Sequence, residues 1–138
     1  AGTVERLPQK KAARVVPERS TRLLVLEDAG GRVLLARRPP AGIWGGLWSL
    51  PEMALDADPA AHVGDRFGAT LAGTTDLPPF THAFTHFRLH VQPLRARLTD
   101  NRAAIADNPA LRWVDAPARA TLGLPRPVAA LLDRLEDA

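Results

Sequence analysis

The sequence predicts one α/β domain of the α+β type, a mixed sheet packed between helices. Three observations predict it. A length of 138 residues buries a core without staples and leaves no room for two full domains. Two early segments, around Leu24 and Leu34–Leu35, are apolar at consecutive positions, as in central strands covered on both faces. Near the end, Val128, Leu131, Leu132 and Leu135 fall at i, i+3, i+4 and i+7, the stripe of an amphipathic helix.

Composition narrows the classes. Hydrophobic residues are 46%, a share padded by Ala, and charged residues are 24%, ordinary for a soluble domain. No apolar run approaches the ~20 residues of a membrane span, and no signal-peptide pattern is present. The expectation is no membrane partner. With no Cys, this chain has no disulfide, thiolate zinc site, iron–sulfur cluster or cysteine nucleophile. A reducing cytoplasm is therefore permitted.

The net charge of +3 is unevenly spread. Residues 1–22 carry six basic and two acidic residues, a balance of +4, and the remainder carries 12 and 13, a balance of −1. Residues 1–19 read as a basic linker or arm, because Pro8, Pro17 and the lack of apolar periodicity argue against a helix. Such arms bind polyanions or serve as solvated linkers, and charge alone favours the linker. Residues 20–138 form the domain.

The elements follow in order. Thr21–Glu27 and Arg32–Arg38 are strands, and Asp28–Gly31 (DAGG) between them is a hairpin turn. A rigid Pro- and Gly-rich loop runs from Pro39 to Gly46, and Leu47–Leu50 is a short strand stopped by Pro51. Asp58 before Pro59 supplies an N-cap and a first-turn proline for a helix near 59–68, with Val63 and Phe67 on one face. Residues 69–79 read as loop. Downstream, Phe87, Leu89 and Val91 alternate with Arg88, His90 and Gln92, a half-buried strand. Phe80 and Phe84 are in the opposite phase, so the chain bulges or turns around Thr85–His86. A second flip after Pro93 predicts a bulge or an edge there. Ala110–Asp115 is a further strand, and Pro127–Glu136 is the final helix.

Three chemistries deserve a test on the residues. The loop from Gly46 to Glu52 opens like the Nudix signature of nucleoside-diphosphate hydrolases, whose helix presents carboxylates to a metal that activates water. Counting on from Glu52, its Arg-Glu positions fall on Ala60 and Ala61, and its Glu-Glu positions on Gly64 and Asp65. The box is degenerate, and hydrolysis is not expected. His82, His86 and His90 recur at every fourth residue, but the phase flip breaks any common face and no carboxylate or Cys lies nearby. No metal site is expected, and His90 reads as a surface strand residue. Trp44, Trp48 and Trp113 offer either a stacking platform for bases or core filler in a chain without Tyr. Packing is the favoured reading for all three.

Larger pieces then coincide. The run Leu34–Glu52, with Arg38–Leu47 reading RPPAGIWGGL, resembles a segment of MutY-type adenine DNA glycosylases. Phe84–Leu89 (FTHFRL) is similar to that family's Phe-Ser-His loop and its following strand, and Ala110–Val114 and Gly123–Leu132 resemble its last strand and final helix. The match spans residues 20–136 in order, and the RPP…WGGL run is its most specific part. It covers only the family's Nudix-like C-terminal domain. The resemblance therefore implies a Nudix-like mixed sheet with a degenerate Nudix box.

It also implies a function. In that family this domain reads 8-oxoguanine opposite the adenine to be removed. The expected partners are double-stranded DNA with an 8-oxoguanine:adenine pair and the protein's own N-terminal catalytic domain, in a monomer that is cytoplasmic and nucleoid-associated. No cofactor is expected in this chain, the family's four-Cys iron–sulfur cluster belonging to the helical catalytic domain. The chain would have no catalytic residue of its own. Thr85 takes the place of the family Ser, Phe84 would wedge or stack, and His86 would donate to DNA. His82 and Arg88 complete the expected binding set, with Lys10, Lys11 and Arg14 of the arm on the DNA backbone. Thr for Ser keeps the hydroxyl, adds a methyl and stiffens χ1. Two rival functions are an active hydrolase of oxidised nucleotides and a protein-interaction module.

Overall fold

The computed structural model describes residues 16–99 and 105–136. Among these residues, eight strands form one mixed sheet: β1 (Glu18–Glu27), β2 (Val33–Arg37), β3 (Trp48–Ser49), β4 (Glu52–Met53), β5 (Thr70–Asp76), β6 (Phe80–Ala83), β7 (Arg88–Thr99) and β8 (Leu111–Val114). Three helices among the described residues accompany them: α1 (Pro59–Phe67), α2 (Ala116–Arg119) and α3 (Arg126–Glu136). The central path runs β3-β2-β1-β7-β5, with β4 on β1, β6 on β7 and β8 on β2. The sheet is mixed because β1 and β7 run parallel, from Glu18↔Arg88 to Glu27↔Arg97, while β2, β5 and β6 pair antiparallel.

The double-sided apolar strands have the predicted cause. Leu23, Val25, Val33 and Leu35 share one buried cluster with Val128, Leu131 and Leu132 of α3. Leu24, Leu26 and Leu34 share another with Val63 and Phe67 of α1. Each helix thus covers one face of the sheet, and β1 is buried on both. Asp58 caps α1, its carboxylate accepting from the Ala61 N–H at 3.0 Å, and Gly68 ends it in the left-handed conformation at φ 64°. The β1–β2 turn closes on Asp28, whose carboxylate accepts from the Gly30 and Arg32 N–H groups and from Arg32 Nε. No helix among the described residues is long and apolar enough to cross a membrane.

Three expectations need correction. Residues 70–76 are strand β5, not loop. All but Leu71 are exposed, so no alternation marks them in the sequence; backbone pairing to β7 holds them. Pro93 makes no bulge in β7, which pairs with β1 without a break through Leu23↔Pro93 and Leu24↔Leu94. The apolar phase flips because the covered face changes: Leu89 and Val91 join the α3 cluster, whereas Leu94, Ala96 and Leu98 join the α1 cluster. Pro93 lies where β7 changes partner, β6 pairing up to Val91 and β5 from Leu94. Finally, β1 begins at Glu18, ahead of the strand start expected at Thr21.

The packing of α1 has a pH consequence. His62 has a buried Nε2 without a hydrogen-bond partner among the described residues, and burial, aided by Arg66 and opposed by Asp65, holds its pKa below the ordinary 6.5. The unfolded chain then takes up this proton at a higher pH than the folded chain, so stability is lost as pH falls through the ordinary value. Urea midpoints should drop between about pH 7.5 and 5.5, and His62→Gln should lessen that drop. An identical slope in the variant would exclude this origin.

Candidate nucleic-acid interface

Strands β6 and β7 pair from Phe80↔Val91 to Ala83↔Arg88. The Phe84 N–H then donates to the Phe87 carbonyl at 2.8 Å, leaving Thr85 and His86 as the tip of the turn. This turn is the predicted phase flip. Two tip residues bring Phe84 and Phe87 to opposed positions on one face, although their sequence parity differs. Their rings stack at 4.5 Å with 16° between planes. His82 meets Phe84 edge-on at 4.7 Å.

A second segment completes the cluster. The loop after β2 is tied by Arg38 N–H to the Leu47 carbonyl (2.8 Å), Gly46 N–H to Pro39 (3.1 Å) and Leu47 N–H to Trp44 (3.1 Å). The Arg38 side chain donates from Nε to the Ile43 carbonyl at 3.2 Å. These bonds deliver Trp44 to the hairpin, with its ring 5.7 Å from Phe84 and 6.2 Å from His82. From β1, the Arg19 guanidinium sits 4.6 Å over the Phe87 ring. The result is a pile of Arg19, Phe87, Phe84 and Trp44, flanked by His82, packed at the edge of the α3-side core.

The structure gathers most of the predicted site. His82 and Phe84 are half-buried in the pile, whereas Thr85, His86 and Arg88 are exposed. Neither the Thr85 hydroxyl nor the His86 ring makes a hydrogen bond among the described residues. Lys10, Lys11 and Arg14 lie outside the described residues. Two members were missed. Trp44 packs, as expected, but its ring partners are the hairpin's His82 and Phe84. Arg19 reaches Phe87 only through the β1–β7 pairing, which no local pattern announces.

The other polar groups at the hairpin base serve structure. His90 sits on the opposite face from His82, because paired residues share a face and His90 pairs with Thr81 while His82 pairs with Leu89. Its ring joins Thr81 Oγ1 at 2.8 Å and Glu18 Oε1 at 2.5 Å, and the bond from His90 holds the Glu18 carboxyl below its usual range. The three histidines therefore share no face, and no metal-holding group of three such ligands exists among the described residues.

The Nudix box fails the same test. Ala60, Ala61, Gly64 and Asp65 are exposed on α1, and only Asp65 is acidic. The remaining box carboxylate, Glu52, is already engaged. It accepts from Thr21 Oγ1 at 3.0 Å and is ion-paired with Arg38. These residues do not fit the family's divalent cation, and no hydrolytic step is derived through one.

Fold and site together define a Nudix-fold domain whose hydrolytic box is lost and whose exposed polar tip lies on the β6–β7 hairpin. A match to the NUDIX domain spans residues 22–134, and the chain belongs to that family. It is 31% identical over 121 residues to an adenine DNA glycosylase of Arabidopsis thaliana, an alignment covering 70% of this chain and 19% of that protein. The chain thus spans about one fifth of the length of this relative. Among solved structures, the C-terminal domain of mouse MUTYH, in complex with human PCNA, matches with a TM-score of 0.68 at 22% identity, over 86% of this chain and 87% of that one. Shewanella oneidensis NrtR matches at 0.69 and 16% identity, over 83% and 59%. A MutT protein from Methanosarcina mazei matches at 0.67 and 17% identity, over 89% and 98%. At these identities the structural likenesses establish the fold.

Proposed function

We propose that this chain is the lesion-reading domain of an adenine DNA glycosylase, engaging duplex DNA at 8-oxoguanine opposite adenine. The observation that carries this reading is the hairpin tip. Thr85 and His86 project polar groups unpaired among the described residues at the end of a braced aromatic pile, which is what reading a base edge requires. Guanine N7 is an acceptor in the major groove. Oxidation at C8 places a hydrogen on N7, so a lesion reader needs an acceptor there. A threonine hydroxyl both accepts and donates. Similarity to the Arabidopsis glycosylase supports the same reading. On this reading the chain acts as a monomer joined to its own helical catalytic domain, which would hold the iron–sulfur cluster. The protein would be cytoplasmic and nucleoid-associated.

Thr85→Val keeps the shape and removes the hydroxyl. It should narrow the preference for 8-oxoguanine over guanine by about 1 kcal/mol, the low end for a base-edge contact, or roughly fivefold. Thr85→Ser should keep or sharpen that preference by removing the methyl. Fluorescence anisotropy with matched duplexes measures both. If Thr85→Val and Phe84→Ala both leave the preference untouched, the hairpin does not read the lesion.

The chain alone should neither excise adenine from an adenine:8-oxoguanine duplex nor hydrolyse nucleoside triphosphates, with magnesium present. Ala60, Ala61 and Gly64 stand where hydrolytic side chains would be needed. Turnover of either substrate above a chain-free control would overturn this expectation. A second reading, a protein-docking module, draws on the mouse MUTYH domain's complex with PCNA. Partner capture by a chain without DNA affinity would favour it.

A further inference from the structure

We propose that Trp44 is a positioning residue for the β6–β7 hairpin, holding Phe84, and through it the Thr85–His86 tip, in one orientation. The inference deepens the lesion-reading proposal and rests on it for its meaning in binding.

The backbone of Trp44 is the first observation. Its φ is +54°, and it is the only non-glycine residue at positive φ among those described. A bulky side chain rarely adopts that region, and such strain persists only where the surroundings over-determine it. Here they do: the loop bonds through Arg38, Pro39, Gly46 and Leu47 fix the turn on both sides of Trp44.

The ring is the second observation. Its only ring contacts among the described residues are His82 and Phe84, both on the hairpin. The strained loop thus delivers one large aromatic surface to one place. The hairpin needs such a brace. Among the described residues, strand β6 pairs with β7 alone, and the tip residues make no hydrogen bond of their own. Beyond Ala83↔Arg88 the Phe84–Phe87 backbone bond and the ring pile remain to hold the tip. Arg19 closes the pile on the Phe87 side, and Trp44 closes it on the Phe84 side. Removal of the indole leaves Phe84 free to swing away, and Thr85 and His86 turn with it.

Two variants separate ring from backbone. Trp44→Gly removes the ring while putting at φ +54° the residue that tolerates it best. Trp44→Phe keeps an aromatic surface. Amide hydrogen exchange on the whole chain reads the Phe84 N–H, which bonds the Phe87 carbonyl. Trp44→Gly should speed its exchange at least about tenfold and leave the Val25 and Leu94 amides within about twofold, while Trp44→Phe stays within about threefold at all three. Unchanged Phe84 exchange in Trp44→Gly overturns the inference. Equal acceleration at Val25 and Leu94 also overturns it, because the effect is then global.

Binding is measured separately, with duplexes containing 8-oxoguanine or guanine opposite adenine. A preference lowered in both Trp44→Gly and Thr85→Val supports the inference and the lesion reading together. A loosened Phe84 amide with no effect of Thr85→Val or Phe84→Ala on preference overturns the lesion reading and leaves the brace standing. A preference lowered by Thr85→Val but kept in Trp44→Gly overturns Trp44 as a determinant of recognition.

Discussion

Gly45→Ala is expected to dislodge the loop that carries Trp44, although it adds a single methyl group. A Cβ built at Gly45 would lie 2.1 Å from the Pro40 carbonyl oxygen, 2.9 Å from the Pro40 carbonyl carbon and 3.3 Å from the Pro39 oxygen. All three are backbone atoms, so no side-chain rotation relieves the contact. Pro39 and Pro40 have fixed φ, and the Pro39 carbonyl is held by the Gly46 N–H, so the backbone yields little. Overpacking against groups that cannot move costs about 1–3 kcal/mol and on occasion more. The midpoint of thermal unfolding should fall by roughly 4 °C for each of those kcal/mol. Gly30→Ala is the control, because its Cβ would meet nothing closer than Asp28 Oδ1 at 3.5 Å. It should leave the midpoint unchanged or slightly raised. On the brace proposed for Trp44, Gly45→Ala should also weaken the proposed 8-oxoguanine preference, whereas Gly30→Ala should not. Equal midpoints for the two variants would show that the loop tolerates the methyl.

Deleting residues 1–15 is expected to have the largest effect on the salt dependence of DNA binding, on the expectation that Lys10, Lys11 and Arg14 meet the DNA backbone. The segment carries Arg6, Lys10, Lys11 and Arg14 against Glu5 alone. Each phosphate neutralised on duplex DNA contributes a slope of about −0.9 in log K against log salt, so four cations supply up to about −3.6. Over a fourfold rise in salt, such as about 50 to 200 mM, that slope amounts to on the order of a hundredfold in affinity. The deletion stops at residue 15 because β1 begins at Glu18 and its Arg19 caps the Phe87 ring. Removing those residues would confound an electrostatic loss with damage to the hairpin. Titrations of the same duplex at several salt concentrations give the slope directly. The same slope in the full and shortened chains would reduce the arm to a tether.

Much of the fold was legible because its signals are local. Asp58, Pro59 and Gly68 bound α1 through capping, which needs only neighbouring residues. The spacing of Val128, Leu131 and Leu132 marks the buried stripe of α3. The turn at Asp28–Gly31 follows from a carboxylate able to bond its own loop. Strand β5 was illegible for the converse reason. Its sequence, TLAGTTD, buries almost nothing, and its conformation is set by a neighbour that lies later in the chain. Pro93 misled for a related reason. A switch of buried face along β7 has the same sequence signature as a bulge, and only the placement of α1 and α3 tells them apart.

The candidate site divides along the same line. The sequence by itself determined that the Nudix box is degenerate, because missing carboxylates are a matter of residue identity. It also marked Thr85–His86 as a bulge or turn, which the pairing of β6 with β7 resolves into a turn. It could not determine what braces that turn. Trp44 and Phe84 meet because β2 and β7 both flank β1, and Arg19 meets Phe87 because β1 and β7 run parallel. The fate of Glu52 was likewise hidden until Arg38 and Thr21 were seen to engage its carboxylate. Local signals are written in spacing and residue type, so one sequence displays them. Contacts between segments separated by tens of residues depend on strand order and register, and the tertiary structure alone decides those.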